Sequence, residues 1–477
     1  MNVKSLRTPF LAVAVLLVAG NAFAFEFPYL WSDPLRTAPP VMAKGVTLPG
    51  DTAPLPRVVE KDFSQPLLLG EALDIALSHN QKVKWAWADI KVQAGALGEA
   101  YGAYLPSVNG SVNWTKDKIS SSGVAKDVAN DRYTAQASAG WRIFDFGGRS
   151  ANRRSAENLL AAALAGHDAA LQDVSGGVIK AYFDAMTAGA SLKAKSEDEE
   201  IALHTLDSAK AREAKGAISQ SDTLRSTTAL ARASLDKNRA LGDHQKALAV
   251  LSHYLGLPGG TALILPAELN APQGGVPEKK ELSAWLAEAQ KGHPALIAAR
   301  KQYDSAREQV TVAKSTGLPV VTLTGNYYKN TRPGEAVTDT SAQETTLIVA
   351  VSIPLYDGFS TTYKIRGAQA QVEKKEAALT DMEQQIALEI IKAYADTVSS
   401  LRNLDSSLIL LESAKSALAV SQRKYDKRAA DITELLSTQA ALADSWSERI
   451  RCLAEWHSAR LQLLANAGKM GRYAVKN

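Results

Sequence analysis

The sequence predicts a mainly α-helical protein in which a transmembrane β-barrel continues into a long α-helical barrel. Three identical chains are expected to build it, each giving four of about twelve strands. Three observations predict this class. The chain of 477 residues starts with an export signal, it contains one structural plan twice, and each copy combines two alternating strands with unusually long helices.

The first element is an export signal. Lys4 and Arg7 precede an apolar run over 10–20, and the segment ends at Ala22-Phe23-Ala24. This order is typical of a cleaved secretory signal peptide, and the run is shorter than the about 20 residues of a spanning helix. We expect residues 1–24 to be removed and the chain to be exported, the alternative being an uncleaved anchor.

Composition excludes several classes of protein. The formal charge of +4 falls to +2 when Lys4 and Arg7 are removed (4 − 2), and without a basic stripe no nucleic-acid partner is expected. Cys452 is the single cysteine, so an intrachain disulfide is impossible.

Residues 25–66 are rich in proline and lack periodicity, which predicts an extended segment lying on the rest of the protein. The remainder of the chain is a duplication with an offset of about 212 positions, with a first repeat at 67–256, a connector at 257–280, a second repeat at 281–468 and a tail at 469–477. The strongest match pairs Ile179-Lys180-Ala181-Tyr182 with Ile391-Lys392-Ala393-Tyr394.

Each repeat contains two predicted strands, at about 105–115 and 132–144 and at about 319–329 and 345–355. Apolar and polar residues alternate along them, as Val108, Val112 and Trp114 do with their polar neighbours in the first. This period, with aromatic residues near the ends, is typical of membrane β-barrel strands. A half-buried soluble sheet alternates in the same way and remains the alternative. The polar segments 115–132 and 329–344 are predicted to be long extracellular loops.

The helices are predicted to be very long. Those at about 148–215 and 363–427 each measure roughly 100 Å, and the seam through Leu160, Leu164, His167 and Leu171 has coiled-coil spacing. We interpret His167 as a packing residue. Shorter helices at 69–104 and 217–256 are predicted to stack end to end and so to cover one long helix.

Oligomerisation follows from the strand count. Four strands cannot close a barrel, and open edges would leave unpaired backbone groups in lipid. Three chains supply about twelve strands, which is within the range of known barrels. Two chains supply about eight, and side chains fill the interior of a barrel that narrow, so no open pore would remain.

The sequence resembles the TolC family of outer-membrane factors along nearly all of the mature chain. The resemblance rests on three motifs in duplicated order, which are Tyr104-Leu105-Pro106-Ser107, Ile143-Phe144-Asp145-Phe146-Gly147-Gly148 and Pro354-Leu355-Tyr356-Asp357-Gly358. It implies a homotrimer in the outer membrane of a Gram-negative bacterium, with its helical hairpins in the periplasm.

The same resemblance implies a constricted entrance at the hairpin tips, where an adaptor docks. The implied gate residues are Asp222, Glu434, Tyr425, Arg428 and Ser437, and the implied docking residues are Gly216, Ala217, Leu224, Ala429 and Leu436. Three positions depart from the family pattern: Arg428 replaces a glycine, Ala430 an arginine and Ser437 an acid. Acids repeated by three-fold symmetry at a narrow mouth would attract cations; alternatively, Asp222 and Glu434 are solvated tip residues.

Motifs for chemistry are absent from the sequence. No two histidines have helical zinc spacing, and there is no nucleophile elbow, phosphate-binding loop or dinucleotide fingerprint. We therefore expect no enzyme, cofactor or metal.

The leading hypothesis is the outer-membrane channel of a tripartite efflux system that exports small toxic compounds and so contributes to multidrug resistance. Its partners would be a periplasmic adaptor and an inner-membrane pump or ABC transporter. The alternative hypotheses are the exit duct of a type I protein-secretion system and, from another class, a periplasmic adaptor or coiled-coil scaffold.

Overall fold

The computed structural model describes residues 33–44, 47–51, 63–119, 128–266, 280–331, 341–427, 429 and 432–471. The predicted signal peptide lies outside them. The helices are α1 Val41–Lys44, α2 Leu69–His79, α3 Gln81–Gly102, α4 Gly148–Glu213, α5 Gln220–Leu255, α6 Leu282–Gly292, α7 Pro294–Ser315, α8 Ser360–Asp426 and α9 Ile432–Asn466. The strands are β1 Ser107–Ile119, β2 Val128–Phe144, β3 Val320–Thr331 and β4 Ser341–Ser352. In the described part of the chain, no helix is both long and apolar enough to cross a bilayer.

The four strands form one antiparallel sheet in the order β1-β2-β3-β4, which leaves β1 and β4 as its edges. The strands are longer than predicted. Ile119 pairs with Val128, and Thr331 pairs with Ser341, so the predicted loops 115–132 and 329–344 are shorter. The ends of these strands could not be predicted from the sequence, because the alternation of apolar and polar residues does not continue into these polar segments.

The two faces of the sheet differ as the alternation predicts. On β2, Tyr133, Ala137 and Trp141 are exposed, whereas Gln136 and Ser138 on the other face are half-buried. Gln136 Nε2 donates to Tyr328 Oη at 3.2 Å on that polar face. From Tyr133 to Phe144 the strand covers roughly 37 Å. With a tilt of about 40° this is roughly 28 Å of height, close to the apolar band of an outer-membrane barrel.

Both strand-to-helix motifs build the same turn. Asp145 Oδ2 accepts from the backbone N of Arg149 at 2.9 Å, and Asp357 Oδ2 accepts from that of Thr361 at 2.8 Å. Hydrogen bonds from Thr361 hold the pKa of the Asp357 carboxyl below its usual value. A residue pair with positive φ precedes each helix, at Phe146-Gly147 and Gly358-Phe359.

Each long helix lies beside stacked short ones, as predicted. α4 packs on α3 and α5, and also on α7 and α9, while α8 packs on α7 and α9. Gly177 on α4 lies against the Tyr254 ring of α5, and Gly176 faces Ala465 of α9. Small residues at these positions therefore allow the helices to approach closely.

The predicted single helix over 69–104 is wrong, because Asn80 divides it into α2 and α3. Asn80 has ψ 132°, its Oδ1 accepts from the backbone N of Lys82 at 2.9 Å, and its Nδ2 donates to Tyr254 O at 2.9 Å. In the second repeat, His293 and Pro294 divide α6 from α7 in the same manner, with His293 Nδ1 accepting from Ala295 N at 3.2 Å.

The main apolar core lies where the short helices meet. It gathers α2, the middle of α4 and the C-terminal ends of α5 and α9, with Leu73, Val178, Leu251 and Leu461 among its buried members. The C-terminal segment is fixed to this core because the Gln172 amide bonds both the backbone N and O of Met470, at 2.9 and 3.1 Å.

The described parts of the N-terminal segment lie along the helices. Thr37 Oγ1 donates to Ala94 O on α3 at 2.9 Å, and Gly50 N donates to Met470 O at 3.3 Å. His167 is only 2% exposed and packs against the Trp87 ring at 5.6 Å, which confirms it as a packing residue.

Candidate functional site

The first hairpin turn is built by Gly216. Its φ of +67° ends α4 in the left-handed conformation that glycine adopts without strain. Gly216 N donates to Glu213 O at 2.7 Å, and Ala217 N donates to Arg212 O at 2.9 Å. These bonds satisfy carbonyls of the last turn of α4 and fix the tip.

Asp222 starts the return helix of this hairpin. Its Oδ2 accepts from Ser219 N at 3.3 Å and from Ser219 Oγ at 2.9 Å, the carboxylate half of a helix-capping arrangement. Arg225 Nη1 lies 3.9 Å from the other oxygen. The structure therefore gives this predicted gate residue a local structural task.

Glu434 stands near the start of α9 in the second hairpin. Its Oε1 accepts from Lys424 Nζ and from Ser421 Oγ, both at 3.2 Å, and its side chain is 42% exposed. An ion pair this exposed contributes little to stability, but Lys424 partly offsets the negative charge. Ser437, also exposed, donates to Glu434 O at 2.9 Å.

Tyr425 is buried at the tip instead of facing solvent. It is 6% exposed and packs with Ile432 and Leu435. We call this group, with the flanking Leu418 and Leu436, the tip cluster. The Tyr425 hydroxyl is buried without a hydrogen-bond partner in the described residues. Arg428 and Ala430 lie outside the described residues.

Two contacts join the hairpins within one chain. The Arg212 guanidinium of α4 lies 4.3 Å above the centre of the Tyr425 ring on α8. Arg225 Nη1 of α5 donates to Thr433 Oγ1 of α9 at 3.2 Å. The structure thus brings Tyr425 together with an arginine that sequence reasoning missed. The sequence shows a basic residue in the last turn of α4, but it does not show that this residue contacts a partner more than 200 positions away.

The implied docking residues form a mostly exposed surface at the two tips. Gly216, Ala217 and Ala429 are exposed, and Leu224 is 60% exposed. Leu436, a member of the tip cluster, is half-buried. These docking positions therefore present small and apolar groups, beside exposed charged residues such as Lys215 and Lys427.

Comparisons with known proteins agree on one family. A sequence model described as "Outer membrane efflux protein" matches residues 72–257 and 285–469, one stretch in each repeat. Protein CyaE of Bordetella pertussis is 33% identical over 464 residues, which cover 97% of this chain and 96% of that protein. Outer membrane protein TolC of Vibrio cholerae is 27% identical over 203 residues, covering 40% of this chain and 44% of that protein. The crystal structure of the Campylobacter jejuni CmeC outer membrane channel superimposes with a TM-score of 0.77 at 14% identity, covering 89% of this chain and 96% of that one.

Proposed function

The chain belongs to the outer membrane efflux protein family, and we propose that it is the channel of a tripartite efflux system that exports small toxic compounds. The working unit is a homotrimer in the outer membrane of a Gram-negative bacterium, and the family consists of channels and not of enzymes. An adaptor and an inner-membrane pump complete the proposed machine.

The two-faced sheet is the observation that carries this proposal. One face exposes Val108, Trp141 and Leu347, which are 76%, 44% and 74% exposed, and the other face carries polar groups such as Gln136. An apolar outside and a polar inside suit a water-filled channel through lipid. The helices then continue the channel into the periplasm over roughly 100 Å.

Docking of the adaptor is proposed at the exposed tips, around Gly216, Ala217, Leu224 and Ala429. Leu224 supports this because a leucine with 60% of its surface exposed is an apolar group that a partner can cover. Glu434 is proposed to line the entrance, with its field reduced by Lys424, whereas Asp222 is proposed chiefly as a helix cap.

A second cargo is the polypeptide of a type I secretion system. The chain is similar to Protein CyaE along 97% of its length at 33% identity, against 40% coverage at 27% identity for the TolC protein of Vibrio cholerae. The partners and cargo of this chain are thus expected to resemble those of Protein CyaE more closely than those of that TolC protein.

Deletion of the gene separates the two cargoes. Efflux predicts that inhibitory concentrations of several unrelated drugs, solvents or metals fall in the deletion strain and recover with the restored gene. Secretion predicts unchanged drug sensitivity and the loss of one or a few proteins from the culture medium. A deletion strain with neither change would contradict both proposals.

A further inference from the structure

A groove formed by α3, α4 and α7 has the size and lining of a small-molecule site. It runs over α4 between α3 and α7 and has a volume of about 610 Å³, within the range of ligand pockets. Its floor is low because it is made of small residues, such as Ala162 and Gly166, and its rims carry Trp85 and Gln302.

Two side chains on the α3 rim give the groove its chemistry. Trp85 is 73% exposed, an unusual setting for an indole. Asp89 follows one helical turn later, so the two side chains are neighbours about 6 Å apart at Cβ. Asp89 accepts a hydrogen bond from Gln93 at 3.3 Å, and within the described ranges no basic side chain forms an ion pair with it. Lys82, also at the groove, is already paired with Asp173 at 3.1 Å.

The groove lies on the face of α3 opposite the N-terminal segment. Thr37 bonds Ala94 O, and Met42 packs on the cluster that contains Ala94. A Cβ on Gly98 would lie 3.5 Å from Thr37 Oγ1, so Gly98 marks the side of α3 that faces the N-terminal segment. At 100° per residue, Trp85 lies about 140° and Asp89 about 180° around the helix from Gly98. If the trimer is an open channel, the N-terminal segments must run along its outside, because inside they would obstruct it. The groove then faces the lumen, a step that rests on the proposed function.

We propose that this groove is a lumenal binding site for planar aromatic cations. The indole offers its face to an aromatic ring and to a positive charge, and the Asp89 carboxylate supplies the opposite charge one turn away. The floor of alanines and glycine leaves room for a flat molecule between the two rims. Three copies would line the channel well above the tips, between entrance and membrane.

The test measures dye binding to the purified full-length trimer in lipid nanodiscs by fluorescence anisotropy. Rhodamine 6G and fluorescein share a flat ring system and carry opposite charges. We expect saturable binding of rhodamine 6G and much weaker binding of fluorescein. Trp85→Ala and Asp89→Asn are each expected to weaken rhodamine 6G binding about tenfold, and Trp85→Phe to retain most of it.

Trp446→Ala is the matched control, since it removes a partly exposed tryptophan (39%) outside the groove, and it should bind like the wild type. Unchanged affinity in both Trp85→Ala and Asp89→Asn, or equal binding of the two dyes, would overturn the proposal. Conductance of the same preparations in planar bilayers distinguishes failure of the proposed binding site from failure of the proposed channel function. A conducting Trp85→Ala trimer with unchanged dye affinity contradicts the groove alone, whereas a wild-type trimer that does not conduct contradicts the channel.

Discussion

At the scale of single residues, two arginines join the hairpin tips at which the entrance is proposed. Arg212 stacks on the buried Tyr425 ring, and Arg225 donates a hydrogen bond to Thr433, so each of these two arginines of the first hairpin contacts a residue of the second. Meanwhile Asp222 is used as a helix cap and Glu434 is paired with Lys424. A sequence motif identifies such positions, but their partners decide what they do.

Removal of the Arg212 contact should loosen the tips. A cation–π pair at a partly exposed site contributes about 0.5–1 kcal/mol, so Arg212→Ala is expected to raise single-channel conductance or the frequency of opening. Arg212→Lys should retain part of the effect. Arg232→Ala, which removes an exposed arginine elsewhere on the same hairpin, should leave the recordings unchanged; an equal effect of both alanine variants would show that charge alone matters.

Neutralising Glu434 should reduce cation selectivity. With three copies at the proposed entrance, we expect Glu434→Gln to lower the cation-to-anion permeability ratio by roughly twofold, because Lys424 already offsets part of the negative field. Reversal potentials across a salt gradient measure this ratio. Glu412→Gln, an exposed acid on the same hairpin, is the control, and an unchanged ratio in Glu434→Gln would remove this residue from the entrance.

At the scale of elements, the helix breaks and tips are set by a few backbone conformations. Gly216 at φ +67° ends one long helix, and Asn80 and His293 divide the short ones at the level of the apolar core. These sites decide where helices stop, and therefore how the stacked pairs match the length of α4 and α8.

Gly216→Ala tests the tip directly. The space around this glycine is open, so an added methyl group meets no neighbour. Alanine is nevertheless strained in the left-handed backbone conformation, and we expect the substitution to lower the free energy of unfolding by about 1 kcal/mol. Gly166→Ala is the matched control: it also adds one methyl group in open space, but within a helix, where alanine is favoured. Urea unfolding should show a lower midpoint for Gly216→Ala and an equal or higher one for Gly166→Ala; the reverse order would contradict the strained turn.

At the scale of the whole molecule, one chain is incomplete. The sheet ends in two edges, β1 and β4, and in a bilayer those backbone groups need partners. The homotrimer of the family supplies them. The apolar face of the sheet then contacts lipid and the polar face lines the water-filled channel. Successive residues on one strand therefore alternate between lipid and water.

A charge should therefore be tolerated on one face and not on the other. Leu347 pairs with Gly325, which pairs with Ala139, about midway between the aromatic ends of the sheet. Arginine at the midplane on the lipid face costs about 2–4 kcal/mol, so Leu347→Arg should greatly reduce the amount of trimer recovered from outer membranes. Thr346→Arg, on the polar face of the same strand, should assemble normally. Equal yields from both variants would argue against a lipid-facing sheet.

The elements and their order could be predicted from the amino-acid sequence alone. The alternation along β1 to β4 and the heptad spacing of α4 are local patterns that indicate which side of each element is apolar. The duplication indicates that the same set of elements occurs twice. The four-strand count then required several chains, and the resemblance supplied the family, which the comparisons confirmed.

Which residues act together emerged only when the helices were packed in three dimensions. The burial of Tyr425, the arginines that join the hairpins, the Lys424 partner of Glu434 and the groove beside Trp85 all arise from helices that are distant in sequence or from rotations about one helix axis. The physical reason is that periodicity reports the environment of a residue averaged over its element. A contact between two side chains depends on the angle and height at which two elements pack, which no single segment encodes.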